Sequence, residues 1–193
     1  MLTHPASLWI RAHGPGRYLS ALLLLAMMTP LTRLLNGGSE LPRFFEPMLV
    51  PLYLAIAASI SWEGQSRHLE QRNPNLVKAR ILTIMVHTGI GEVMILLLSD
   101  APGTQAASEG VRSYLLAIGI LSGVMSILPA GIARIVLLAR TLPATVLLPE
   151  PSSPLAMIWW EFQESTTTNF IGCLALWAIG SGAFAWRGLT TRG

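Results

Sequence analysis

The sequence predicts an all-α membrane protein with six transmembrane helices, an N-terminal interfacial helix, and a short cytoplasmic helix between spans two and three. Three observations predict it. First, the chain of 193 residues is 52% hydrophobic and only 12% charged. Soluble domains carry about 25% charged residues, so most of this surface is built for something other than water. Second, the apolar residues fall into runs close to the roughly 20 residues that a bilayer requires. Third, the basic residues are scattered between those runs in the manner of topology signals. The length suits a single domain over residues 1–193.

The elements follow in order. Residues Pro5–His13 place Leu8, Trp9 and Ala12 on one face, with Arg11 and His13 beside it. Gly14-Pro15-Gly16 then breaks the chain. This predicts an interfacial helix within residues 5–17. The six spans are expected at about 18–35, 44–62, 80–98, 112–128, 130–148 and 169–186. The first is expected to stay as an uncleaved span, because Thr29-Pro30-Leu31-Thr32-Arg33 has no small-x-small cleavage pattern. Asn36-Gly37-Gly38-Ser39, Asp100–Gly110 and the proline-rich Pro149–Pro154 are linkers. Leu128-Pro129-Ala130-Gly131 predicts a tight turn between spans four and five. Pro154–Gln163 is apolar, then acidic, and too short to cross, which predicts a re-entrant or interfacial helix.

Charge sets the orientation. With the N-terminus inside, Arg11, Arg17, Arg67, Arg72, Lys78, Arg80, Arg134, Arg140, Arg187 and Arg192 fall on the inner side. Only Arg33, Arg43 and Arg112 remain outside. Both termini are therefore expected in the cytoplasm. Trp62 and Trp186 sit at the expected inner ends of spans, where amphipathic rings collect. The composition suits a bacterial plasma membrane, and the scattered cations argue against a nucleic-acid partner.

Several chemistries are excluded or unsupported. No Gly-x-x-x-x-Gly-Lys-Ser/Thr loop is present, so the chain does not hydrolyse nucleotide through a P-loop. No His-Glu-x-x-His or Gly-x-Ser-x-Gly occurs. His4, His13, His68 and His87 have no metal-ligand spacing, and the single Cys173 permits neither an intrachain disulfide nor a cysteine metal site. The expectation is no enzyme, no catalytic residue, no metal, and no cofactor bound by this chain.

The connection after span two is the most informative segment. It runs Ser61-Trp62-Glu63-Gly64-Gln65-Ser66-Arg67-His68-Leu69-Glu70-Gln71-Arg72-Asn73-Pro74-Asn75-Leu76-Val77-Lys78-Ala79-Arg80. Glu63 and Arg67 form an i,i+4 pair, and Arg67 and Glu70 an i,i+3 pair. Asn73-Pro74 ends the helix. This predicts a short charged helix on the cytoplasmic side, suited to docking a soluble partner.

At these residues the chain resembles the membrane subunits of ABC-2-type ABC transporters. In that family span two runs into a cytoplasmic coupling helix with the loose pattern Glu-Arg-Glu-x-Gly-Thr-Leu-Glu, then a proline, then basic residues opening span three. This chain has Glu63, Leu69-Glu70, Pro74, Lys78 and Arg80 in that order. Gly64 and Gln65 stand where the pattern has Arg and Glu, and Arg67 and His68 where it has Gly and Thr. The plan of six spans, an interfacial helix before span one, and a last span running into Trp186-Arg187 is similar too. The resemblance implies a permease subunit of an ATP-driven exporter that works as a dimer with a second copy or a paralogous permease. It implies separate soluble ATPase subunits that carry the ATP and magnesium. Glu63, Arg67, Leu69, Glu70 and Arg72 would then contact the ATPase. Two rivals stay open: a substrate-capture subunit of a membrane importer, and a non-transporting immunity or scaffold protein. The substrate is not legible.

Three polar residues fall inside expected spans: His87, Glu92 and Arg140. Buried charge in a bilayer is costly and suggests pairing or a substrate path. At about 1.5 Å per residue, Glu92 and Arg140 lie roughly 18 and 15 Å from the inner ends, which predicts an ion pair or a shared polar cavity. His87 and Glu92 lie roughly 140° apart around the helix, so they do not form a two-residue metal site. Gly119 and Gly123, with Ser122 and Ser126, give span four a small packing face, and Gly180 offers the same in span six.

Overall fold

The computed structural model describes residues 48–63, 76–98, 105–146 and 167–187. These residues are helical throughout, apart from one turn. The elements are α1 (Val50–Glu63), α2 (Leu76–Leu98), α3 (Gln105–Met125), α4 (Ala130–Val146) and α5 (Thr167–Arg187). They correspond to expected spans two to six. The expected interfacial helix, the first span, residues 64–75 and the segment 154–163 lie outside the described residues.

Two of the helices, α2 and α5, are long and apolar enough to cross a membrane by length and composition. Val50–Trp62 is a shorter apolar helix. Boundaries shift where charge was taken for an end. α2 begins at Leu76 instead of Arg80, so Lys78 and Arg80 are inside the helix. α3 begins at Gln105, seven residues before the expected Arg112. Its polar first turns are held locally: Gln105 Nε2 donates to Glu109 Oε1 at 2.7 Å, and Ser108 Oγ donates to the Gln105 carbonyl at 2.8 Å. Charge at a run's edge marks solvent in a soluble helix, whereas here the helix carries it inward.

The expected tight turn is present between α3 and α4. Leu128 N–H donates to the Val124 carbonyl at 2.7 Å, and the Pro129 carbonyl accepts from Ala133 N–H at 3.1 Å. Pro129 thus stands where an N-cap residue stands, and its missing N–H costs nothing there. The turn is too short for anything but an antiparallel α3–α4 neighbour.

α3 packs against each of the other four helices, most extensively against α5. Every residue from Arg112 to Gly119 is buried, so α3 is the central helix. Glycine makes the α3–α5 crossing close. A Cβ on Gly180 would overlap the Gly119 carbonyl. A Cβ on Gly119 would come 2.7 Å from the Leu176 carbonyl, and one on Gly123 would come 3.3 Å from Gly180 Cα. The expected small faces of the two helices meet each other.

α2 and α5 run antiparallel in a fixed register. Arg80 Nη1 donates to the Ala185 carbonyl at 3.3 Å, and Trp177 Nε1 donates to Thr88 Oγ1 at 3.1 Å. Eight residues forward along α2 are eight residues back along α5. The same register sets Ile84 opposite Ser181 and Lys78 opposite Arg187.

The outer surface is apolar. On α2, Ile81, Leu82, Met85, Val93 and Leu97 are exposed, Leu97 to 73%. On α5, Phe170, Ile171, Leu174 and Ile179 are exposed, Ile179 to 69%. Meanwhile Arg80, Thr83, His87, Thr88, Arg112, Ser113, Ser122, Ser126, Thr141 and Ser181 are buried. The interior is mainly apolar with these polar groups set in it, and large apolar side chains also cover the outside, which departs from the surface of a soluble protein.

Candidate functional site

The polar residues of α2 build the candidate site. Arg80, Thr83 and His87 recur three to four residues apart, with Thr88 next to His87, so they share one side of the helix. That side is turned inward, toward α1, α3 and α5. Thr83 Oγ1 donates to the Ala79 carbonyl at 2.9 Å. His87 Nδ1 lies 2.7 Å from the Thr83 carbonyl. A carbonyl only accepts, so the proton sits on Nδ1.

Neighbouring helices supply aromatic partners. From α3, the Tyr114 hydroxyl donates to the His87 carbonyl at 2.9 Å. Its ring fills the space beside Gly91, where a Cβ would overlap it. From α1, the Trp62 ring lies edge-on to the His87 ring at 6.1 Å. Trp62 also lies against Phe184 of α5 at 5.3 Å. Trp62 is 0% exposed, so it is not the interfacial ring that its place at the end of a span suggested. Trp186, the other tryptophan expected at an inner span end, is 79% exposed.

A second polar contact joins α1 to α4. Arg134 Nε donates to Ser59 Oγ at 2.8 Å, and Ser59 Oγ donates to the Ile56 carbonyl at 2.7 Å. Arg134 and Ser59 both lie four residues from the helix ends nearest the α3–α4 turn. Lys78, Arg80, Arg134 and Arg187 therefore gather at one end of the bundle.

The expected site residues fare differently. His87 is buried at the centre of the seam. Glu92 and Arg140 are each partly buried. α4 packs mainly on α3 and α1. Of the expected ATPase-contacting residues, Glu63 is the last residue of α1. Arg67, Leu69, Glu70 and Arg72 lie outside the described residues. No group of three or more potential metal-binding side chains occurs among the described residues.

Sequence reasoning missed Arg80 and Arg112 as interior groups. Both were read as flanking charges, yet Arg80 is 6% exposed and Arg112 is among the largest fully buried side chains. The signal for Arg80 was available in the spacing of 80, 83 and 87. For Arg112 the signal was weaker: a seven-residue polar lead-in able to form two helical turns.

No family model, no curated protein and no solved structure matches the chain.

Proposed function

We propose that this chain is the membrane-embedded permease subunit of an ATP-driven exporter in the bacterial plasma membrane. It pairs with a second copy or a paralogous permease and takes ATP-derived motion from a separate soluble ATPase. The observation that carries the reading is where the 64–75 connection is anchored. α1 ends at Glu63 and α2 begins at Leu76, at the end of the bundle that carries Lys78, Arg80, Arg134 and Arg187. By the positive-inside rule that end faces the cytoplasm, where a soluble ATPase would reach the connection. Glu63 and the charged residues Arg67, Glu70 and Arg72 then form the docking surface. Leu69 supplies an apolar contact, and both termini are cytoplasmic. The inward polar side of α2, with His87 at its centre, is the natural lining for a substrate path, because polar groups in a bilayer are retained where they are used.

The test is a mild-detergent pull-down of the tagged chain from its native host, with the companions identified by mass spectrometry. A stoichiometric soluble ATPase is expected, and Glu70→Arg should release it by reversing charge at the docking surface. Recovery of the chain alone, under conditions that preserve other membrane complexes, would move the assignment to a self-sufficient membrane protein. An ATPase that stays bound to both Glu63→Arg and Glu70→Arg would favour the substrate-capture subunit of an importer.

A further inference from the structure

The end of α1 and the start of α2 converge on one place. Trp62 is the penultimate residue of α1, and its ring lies 5.3 Å from that of Phe184. Arg80 lies in the second turn of α2, and its Nη1 donates to the carbonyl of Ala185 at 3.3 Å. Phe184 and Ala185 are adjacent residues in the last turn of α5, which ends at Arg187. All four residues are buried. The penultimate residue of α1 and the first buried cation of α2 therefore grip the same turn of a third helix.

The chemistry of that turn explains the grip. The last four carbonyls of a helix have no intrahelical donor, and the C-terminus carries the negative end of the helix dipole. Ala185 is within those four. A buried guanidinium is well matched to it, being permanently charged and offering several donors on a planar fork. On the other side, two large rings in contact resist sliding because close-packed interiors do not deform continuously.

We infer that Arg80 is a positioning residue. With Trp62 it ties the end of α1 and the start of α2 to the last turn of α5, so that α5 follows any displacement of those two helix ends. The inference deepens the permease reading: the connection receives motion, and α5 is the helix that carries it into the bilayer. α5 in turn crosses the central α3 at Gly119 and Gly180, where the backbones touch. A rigid rotation of α5 would be passed on there without slack.

The test uses the full chain in lipid nanodiscs, with Cys173→Ala as background. The register of α2 and α5 sets Lys78 opposite Arg187, and both are exposed. Lys78→Cys with Arg187→Cys should react readily with a short bismaleimide. Adding Arg80→Gln or Trp62→Ala should slow the cross-link several-fold, because the ends of α2 and α5 would then open locally. Arg80→Lys, which keeps charge and donor, should restore most of the rate. Size-exclusion profiles and the unchanged reactivity of a distant Gln105→Cys would confirm that each variant is folded. An unchanged rate in both Arg80→Gln and Trp62→Ala would overturn the tether whatever the chain's function. If an ATPase copurifies, Arg80→Gln should leave it bound at full stoichiometry and abolish the permease-dependent stimulation of its hydrolysis. Bound ATPase with intact stimulation would overturn the transmitting role. Absence of any ATPase would sink the permease reading while the cross-link still decides the tether.

Discussion

Tyr114 shows how much one side chain settles in a low-dielectric interior. Its hydroxyl donates to the His87 carbonyl, which already accepts from within α2 if that helix is regular, and its ring occupies the space that Gly91 leaves open. Tyr114→Phe keeps the ring and deletes one buried hydrogen bond. It should lower stability by about 1 kcal/mol, since the carbonyl retains its helical partner. Reversible unfolding in mixed micelles would measure it. Gly91→Ala should cost more, about 1–3 kcal/mol, because the new methyl overlaps a ring already hydrogen-bonded in place. If Gly91→Ala is the milder of the two, the ring is not seated as described. His87 was legible in the sequence as an interior polar residue, and its burial follows from the spacing it shares with Thr83 and Arg80. Trp62 was not legible. A tryptophan at the end of an apolar run suits either a lipid interface or a helix contact, and only the position of α5 decides between them.

Between elements, glycine spacing carried more information than charge. Gly119 and Gly123, four residues apart, identify one face of α3, and Gly180 identifies a face of α5. The sequence could not say that these faces meet, because small-residue stripes are interchangeable. The crossing makes a sharp prediction. Gly180→Ala should destabilise the protein by about 1–3 kcal/mol, since the methyl meets a backbone carbonyl that cannot rotate away. Gly182→Ala, two residues along the same helix, should be neutral or mildly stabilising. A Cβ there meets nothing within 4 Å, and alanine is the better helix former. The two variants, compared in the same unfolding assay, separate close packing from helix propensity. Equal effects would mean that the α3–α5 contact is looser than the backbone positions require. The ends of α2 and α3 were misjudged for a related reason. Reading charge as the edge of a helix assumes that charge seeks water, yet a cation can also enter a helix whose neighbour presents an orphan carbonyl, as Arg80 does with Ala185.

At the scale of the molecule, the decisive feature of the described helices is an apolar outer surface around a core that also holds cations. A bundle that buries Arg80, Arg112 and His87 while exposing Leu97, Ile135, Ile179 and Trp186 would aggregate in water. In lipid the same surface costs nothing, because acyl chains are as apolar as leucine. Composition alone indicated this, whereas the identity of the inward polar groups required the packing. The alternation of the five described helices fixes which of their ends share a side. Lys78, the α3–α4 turn and Arg187 lie at one end, and Gln105 lies at the other. Single cysteines in the Cys173→Ala background, probed with a membrane-impermeant maleimide on sealed spheroplasts, should give one pattern. Gln105→Cys should label from outside, and Lys78→Cys and Arg187→Cys should label only after the cells are opened. Reversal of all three positions would invert the protein and place the 64–75 connection beyond the reach of a cytoplasmic ATPase. Labelling of Lys78→Cys and Arg187→Cys from opposite sides would contradict the antiparallel register of α2 and α5, because the Arg80–Ala185 and Thr88–Trp177 contacts cannot both form unless those two ends lie together.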